Sequence, residues 1–458
     1  METEMHSKQA ALNYPARSYR SILAHYYKHI IPMEASVLEI GCGSGELLKQ
    51  LPNRDVCGVD ISLREIEHAR TNVPWGTFIC CPGEQLQLDR KFDYIVLSET
   101  INESPDVQEL FDQLRRFTHT GTRLVINFFN SVWRPVLRLA EVFRLKAPSH
   151  ASNWLSTSDV INLLRLTEWD PIRIQAKILF PFQIPILNKI FNAYLAPLLP
   201  PICLTIIITA RVKARLTQPE LTVSVIIPAR NEAGTIEEAV LRTPEMGGGT
   251  ELVFVEGHST DNTWDEIQRV HHLYPEKNMR ILRQSGNGKG NAVREGFSAA
   301  SGDILMILDA DLTVPPEDLP KFYSAIVNGH AEFANGVRLV YPMRDGAMRF
   351  ANMCANKGFS LVFTFILGQP VKDTLCGTKV LLNENYKNIV RNRAYFGDFD
   401  PFGDFDLLFG ADKLNMKICD IPIRYHERTY GTTNIQRWRH GVLLLRMVIF
   451  AAQKLKFV

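Results

Sequence analysis

The sequence predicts an α/β protein of two domains in tandem, and three observations carry that expectation. Ser36 to Ile40 reads as a buried strand that runs into Gly41-Cys42-Gly43-Ser44-Gly45 and then into a helix from Glu46. Far downstream, the apolar run Ile304 to Leu308 reads as another buried strand, and it ends in Asp309-Ala310-Asp311. Between them, Arg211 to Glu220 is polar and basic, contains Gln218-Pro219 and carries no sustained strand pattern. Strand, turn and helix on both sides of such a join make two Rossmann-like halves. The expected boundaries are 1–213, a linker at 214–220, a second domain at 221–440 and a C-terminal amphipathic helix at 441–458.

The chain's 458 residues exceed a single ordinary core. With 46% apolar and 22% charged residues and a formal net charge of +2, the composition is globular and bears no nucleic-acid signature. Eight cysteines are scattered without a Cys-x-x-Cys pair, so neither a zinc site nor a disulfide framework is indicated. Met1 to Tyr14 is polar and unlike a signal peptide. Tyr194 to Ala210 is the most apolar long stretch, but Pro197, Pro200 and Pro201 interrupt it as a membrane span. The expected location is cytoplasmic, with peripheral contact on the inner face of the membrane.

In the first half, the glycine spacing separates two ligand classes. A dinucleotide fingerprint wants its third glycine where this chain has Glu46, and a carboxylate at a helix start opposes a pyrophosphate. That disfavours a nicotinamide-dependent oxidoreductase. A cofactor without phosphate avoids the conflict, and the cationic groups of S-adenosylmethionine suit an acid such as Glu39. The strand Val56 to Val59 ends in Asp60, placed to accept from ribose hydroxyls. A third strand ends at Pro82-Gly83-Glu84, where Glu84 can accept from an adenine amino group. Phe92 to Leu97 and Thr122 to Asn127 read as further strands.

On Glu39-Ile40-Gly41-Cys42-Gly43-Ser44-Gly45, Asp60 and Phe92-Asp93-Tyr94-Ile95, the segment Tyr14 to Arg211 resembles class I S-adenosylmethionine-dependent methyltransferases. Asn153-Trp154-Leu155-Ser156, a helix from Asp159 and a closing strand Thr205 to Ala210 also look like the family. The resemblance implies that Glu39, Gly41, Gly43, Gly45, Asp60 and Glu84 bind S-adenosylmethionine. It makes the proline-broken segment before Cys203 part of that domain. Methyl transfer is largely positional and demands no catalytic residue, so Glu99 and His119 are only base candidates.

In the second half, Leu221 to Ile227 is a buried strand ending at Pro228-Ala229-Arg230-Asn231-Glu232. Leu252 to Val255 ends in Glu256, and Asp261 and Thr263 carry helix-start chemistry. Arg280 to Leu282 leads into Ser285-Gly286-Asn287-Gly288-Lys289-Gly290, which lacks the spacing of a Walker loop. Asp309 and Asp311, two apart on a strand end, can converge on one hard divalent cation. Pro228 to Glu232, Glu256, Lys289 and the Asp pair thus fall at successive strand ends on one rim, where α/β sheets bind ligands. A nucleotide, its diphosphate and a metal fit these groups in order.

Here the chain resembles family 2 glycosyltransferases of the GT-A type fold, over about Leu221 to Arg446, with polyprenyl-phosphate enzymes of the dolichyl-phosphate mannose synthase type as the nearest look-alikes. The resemblance implies that Pro228, Arg230, Glu232, Glu256, Lys289 and Asp309 bind a nucleotide sugar, and that Asp309 and Asp311 hold Mg²⁺ or Mn²⁺. Asp373-Thr374-Leu375-Cys376-Gly377-Thr378-Lys379 resembles the acceptor-side loop, with Asp373 as the first choice for a base or an acceptor-orienting carboxylate. Phe396 to Asp400 and Phe402 to Asp406 form a local duplication in which Asp404 is a second catalytic candidate. Ile421 to Asn434 resembles the stretch that grips phosphate, with Arg428 as its cation and Asn434 where a Lys is usual.

The C-terminal segment places Arg439, Arg446 and Gln453 on one helical face among apolar residues, which suits a membrane surface or a neighbouring domain. Together these features predict a bifunctional enzyme. It would transfer a sugar, with inversion and metal help, from a nucleoside-diphosphate sugar to a lipid-phosphate or glycan acceptor, and carry a fused methyltransferase, in cell-surface glycan or glycolipid synthesis. The alternative is a glycosyltransferase whose first half is a non-catalytic S-adenosylmethionine-binding or docking module.

Overall fold

The computed structural model describes residues 17–142, 153–213, 220–341, 350–393, 404–431 and 437–458. It divides into two compact units, one of residues 1–213 with 456–458 and one of residues 214–455. Each unit is organised by a seven-stranded mixed sheet with helices on both faces.

In the first unit, α1 (17–30) precedes β1 (Val37–Ile40), α2 (Glu46–Gln50), β2 (Val56–Asp60), α3 (Leu63–Asn72), β3 (Thr77–Cys80) and β4 (Tyr94–Ser98). Then follow α4 (Val107–Leu114), β5 (Arg123–Phe129), α5 (Arg134–Val142), α6 (Thr157–Leu166), β6 (Trp169–Lys177), the short α7 (Pro185–Asn188) and β7 (Thr205–Val212). The strand order is β3-β2-β1-β4-β5-β7-β6, with β7 antiparallel to both of its neighbours. The parallel strands are buried on both faces: Val37 belongs to one apolar layer, and Leu38 and Ile40 to the other. The helix expected from Asp159 begins at Thr157, because Ser156 and Asp159 close a reciprocal capping box ahead of it. The proline-broken segment folds as short helical turns around Lys189–Leu195, Ala196–Leu198 and Pro200–Ile202. β6, whose pattern is broken by Pro171 and polar residues, had no sequence signal.

The second unit runs β8 (Val223–Ala229), α8 (Ile236–Arg242), β9 (Thr250–Glu256), α9 (Thr263–Leu273), β10 (Met279–Arg283), α10 (Lys289–Ala299), β11 (Ile304–Ile307) and α11 (Leu319–Val327). It continues with β12 (Phe333–Val337), α12 (Phe350–Leu367), β13 (Lys379–Leu382), α13 (Asn383–Arg391), α14 (Asp404–Lys413), β14 (Ile418–Pro422) and α15 (Arg437–Ala451). Its order is β10-β9-β8-β11-β13-β12-β14, with β13 alone running against its neighbours. Val223, Val225 and Ile227 pack into one layer and Ile226 into the other, the period-2 burial of a central strand.

The two sheets share one feature that locates their sites. β1 lies between β2 and β4, and β8 lies between β9 and β11. At such a reversal of strand order the loops diverge and leave a crevice outside the carboxyl ends of the strands. The C-terminal helix α15 is anchored in the core by Leu444, Met447 and Ala451, while Val442, Leu445, Arg446 and Ile449 are exposed. No helix of the described residues is long and apolar enough to cross a membrane.

Candidate functional site

In the first unit, a cleft opens at the carboxyl end of β1, lined by residues that include Arg20, Glu39, Gly41, Gly43, Glu65 and Glu99. Gly41 has φ +72°, and a Cβ there would sit 2.7 Å from Thr100 Oγ1, so the turn requires glycine. Thr100 in turn donates to the Ile40 carbonyl at 2.6 Å. Glu39 is buried, and its Oε2 has no hydrogen-bond partner. Burial, reinforced by Asp60, holds its carboxyl well above the usual range. An unsatisfied buried carboxylate facing a cleft is costly until a cation or donor fills it. The amino group of S-adenosylmethionine fits that requirement.

Asp60 ends β2 as expected, but its carboxylate accepts from Gly43 N at 2.8 Å and Ser62 N at 2.9 Å. Each oxygen keeps a lone pair for a ribose hydroxyl while one is spent shaping the glycine turn. Glu84 lies in a short helical turn and accepts from Ser104 Oγ at 2.8 Å. Glu46 pairs with Arg20 at 2.8 Å. His119 pairs with Asp93 at 3.1 Å. It precedes β5, whose first residue Arg123 pairs with Tyr94 at the start of β4, so His119 lies at the opposite edge from the cleft.

In the second unit, charged side chains gather where β8, β9 and β11 end. Arg428 donates to Glu232 Oε1 and to Asp311 Oδ2, both at 2.6 Å, and bridges the two acids. Lys289, the first residue of α10, pairs with Asp309 at 2.6 Å. Burial pushes Asp309 up, but Lys289, by charge and hydrogen bond, with Arg338 and Lys379, holds it below the ordinary carboxylate value. Burial, assisted by Asp311 and Asp309, raises Glu232 to about 7 against the pull of Arg428. Its Oε2 is buried without a partner.

The loop before β13 closes over this cluster. A Cβ on Gly377 would lie 2.2 Å from Asp309 Oδ2 and 2.5 Å from Lys289 Nζ, so any side chain there would displace one or both of these groups. Asn231 anchors the neighbouring loop by accepting from Thr260 N at 2.7 Å, and Glu232 N donates to Thr263 Oγ1 at 2.9 Å. Glu256 is buried at the end of β9 and accepts from Ser259 N at 2.6 Å. Pro228 is the penultimate residue of β8, and Arg230 is exposed at the rim.

Asp373 does not fit the role of a proton acceptor. It is fully buried, and Arg338 grips both of its oxygens, Nε at 2.7 Å and Nη2 at 2.9 Å. Asn356 donates to it at 3.0 Å and Leu375 N at 3.1 Å. Burial alone would raise its carboxyl, but Arg338 and Asn356 hold it below the usual value. Arg338, which no sequence signal singled out, thus makes Asp373 a structural tie. Asp404 is the first residue of α14; its side chain, Asn434 and the duplicated segment at 396–403 lie outside the described residues.

Among the described residues no group of three side chains forms a metal cage. Asp309 and Asp311 supply two hard carboxylates, each already paired with one cation. That donor set fits a divalent cation arriving with diphosphate oxygens as further ligands, and not one held by protein alone.

Residues 13–174 match the family model described as a methyltransferase domain, and residues 224–389 match that of glycosyl transferase family 2. The chain is 35% identical over 222 residues to a dolichol-phosphate mannosyltransferase of Pyrococcus furiosus, covering 47% of this chain and 60% of that one. It is 31% identical over 213 residues to an undecaprenyl-phosphate 4-deoxy-4-formamido-L-arabinose transferase of Edwardsiella ictaluri, covering 46% and 61%. The chain therefore spans about 60% of the length of these curated relatives. Among solved structures, a methyltransferase of Thermotoga maritima aligns with TM-score 0.34 and 17% identity, over 46% of this chain and 95% of that one. Glucosyl-3-phosphoglycerate synthase of Mycobacterium tuberculosis aligns with TM-score 0.37 and 20% identity, over 51% and 80%. The chain joins a methyltransferase domain to a glycosyl transferase family 2 domain.

Proposed function

We propose that the second unit transfers a sugar, with inversion, from a nucleoside-diphosphate sugar to a lipid-phosphate or glycan acceptor. We propose equally that the first unit is an S-adenosylmethionine-dependent methyltransferase, both acting in cell-surface glycan or glycolipid synthesis. The observation that carries the first reading is the row Glu232–Arg428–Asp311 beside Lys289–Asp309 at the carboxyl ends of β8 and β11.

Glu256 and the Pro228 to Glu232 turn would hold the nucleoside. Lys289, at the start of α10, would meet the diphosphate, where helix N–H groups add their own attraction. Asp309 and Asp311 would hold Mg²⁺ or Mn²⁺, which offsets the charge that develops on the leaving diphosphate. Arg428 is the cation for an acceptor phosphate. The commitment of Asp373 to Arg338 favours an acceptor that brings its own negative charge, since a phosphate needs little base help while a sugar hydroxyl does. The polyprenyl-phosphate chemistry in the relatives' names points the same way. A lipid acceptor implies work at a membrane surface, and the exposed Val442, Leu445 and Ile449 around Arg446 on α15 suit a peripheral contact with its inner face.

In the first unit, Glu39 would take the amino group of S-adenosylmethionine, Asp60 its ribose and Glu84 its adenine, over the turn made by Gly41, Gly43 and Gly45. Isothermal titration with S-adenosylmethionine tests this site: no detectable heat sinks it. Methyl transfer to a cell extract then separates an active enzyme from a docking module. For the second unit, donor turnover with a polyprenyl phosphate, lost in Arg428→Ala, is the direct test.

A further inference from the structure

The first unit carries a surface that neither its core nor its cleft uses. Trp133 and Leu137 pack inward at α5, while Val132, Val136 and Leu139, spaced i, i+4, i+7, are exposed as one stripe. Beside the start of α5 lie the proline-broken turns. Trp133 Nε1 donates to the Ile202 carbonyl and Asn130 Nδ2 to the Pro201 carbonyl, each at 3.0 Å. Those turns expose Leu198 to 59%, and Ile202 as well, and α7 just before them exposes Ile186 to 75%. The rings of Phe182 and Phe191 pack on Phe180 and hold the outward side chains in place.

Single exposed aliphatic residues are ordinary, but a contiguous apolar face marks an interaction surface. Its charges are one-sided. Across 131–142 and 180–203 the charged residues are Arg134, Arg138, Lys189 and Glu141, three cations to one anion. No helix of the described residues is long and apolar enough to span a bilayer.

We propose that this face of the methyltransferase unit docks the protein on an anionic lipid bilayer. Val136, Leu139, Ile186 and Leu198 enter the acyl boundary, and Arg138 and Lys189 meet the headgroups. A second copy of the chain fits less well, because a two-fold contact would set the same cation excess against itself. The inference stands apart from sugar transfer and from the exposed residues of α15, although Tyr194 in the same segment packs on Phe457.

The test is flotation of the full-length chain with vesicles of phosphatidylcholine, alone or mixed with phosphatidylglycerol. The protein is expected to float with the anionic vesicles and much less with neutral ones, by about fivefold per engaged cation. Ile186→Glu with Leu198→Glu is expected to lower partitioning at least about tenfold. Both side chains are already exposed, so an unchanged thermal midpoint controls for folding. Lys189→Gln with Arg138→Gln is expected to remove the anionic preference while leaving weak neutral binding. Absence of flotation with both vesicles overturns the proposal. So does binding that survives the double glutamate variant, with or without its loss in Leu445→Glu on α15. A concentration-dependent dimer that the glutamate variant dissolves also overturns it, in favour of a second copy.

Discussion

Replacing Asp373 by Asn separates a structural tie from a catalytic base. The carboxylate is fully buried and gripped by Arg338 at 2.7 and 2.9 Å, by Asn356 and by the Leu375 amide. Asn keeps the shape but turns one accepting oxygen into a donor that faces the Arg338 guanidinium, and it leaves that cation uncompensated in the interior. Breaking a buried pair from one side costs about 3–5 kcal/mol. For a unit of this size each kcal/mol lowers the midpoint by about 2–4 °C, so the second unit is expected to melt roughly 6–20 °C lower. The shortfall depends on pH with a fixed sign. Arg338 and Asn356 hold the folded carboxyl below its ordinary value, so its stabilisation is complete above that value and is lost as pH falls through the folded one. The difference between wild type and variant therefore narrows in acid. Scanning calorimetry, paired with donor turnover at a temperature where the variant is folded, reads both effects. An unchanged midpoint with turnover reduced about a hundredfold or more would refute the tie and restore Asp373 as a base.

Gly377→Ala forces a methyl into the space held by Asp309 and Lys289, so donor affinity measured by titration should drop at least about tenfold with little change in melting. Glu39→Gln removes the buried carboxylate of the first unit. A charge-assisted hydrogen bond contributes about 1.5–3 kcal/mol, so S-adenosylmethionine should bind roughly 10- to 150-fold more weakly. Glu232, raised by burial to about 7, is neutral below that pH, which leaves Arg428 freer for phosphate. Binding of the acceptor phosphate should weaken as pH rises through about 7, and the inflection should vanish in Glu232→Gln. The raised value means the folded state holds this proton more tightly, so this group's contribution to stability also falls as pH climbs from the ordinary value of 4.5 toward 7.

Both sheets were legible because central strands of each, β1 and β11, are apolar runs that end in motifs with few alternative readings. Gly41-Cys42-Gly43-Ser44-Gly45 and Asp309-Ala310-Asp311 each sit at a strand order reversal, where the topology puts ligands. β6, β12, β13 and β14 were not legible. Pro171 interrupts β6, and Asn335 and Gly336 dilute β12, while β13 and β14 are short, so pairing with neighbours decides them. The engagement of Asp373 was not legible for a related reason. Its partner Arg338 lies at the end of β12, far away in sequence, and nothing local announces that the two meet. The engagement of Asp311 by Arg428 is equally non-local, yet both residues were singled out, since each sits in a motif of its own. The apolar face of the first unit was visible only as a stretch too broken by proline to span a membrane. Which side chains point outward depends on the packing of Trp133 and Phe180 beneath them.

The central claim is that the strand ends of the second unit form a nucleoside-diphosphate-sugar site. The most direct measurement is donor turnover by the full-length protein given UDP- and GDP-sugars, Mn²⁺ and a polyprenyl phosphate, beside Asp311→Ala. Turnover of one donor, lost in the variant while its fold persists, is the predicted result. Equal turnover by the variant, or no binding of any donor to the wild-type protein, would contradict the account.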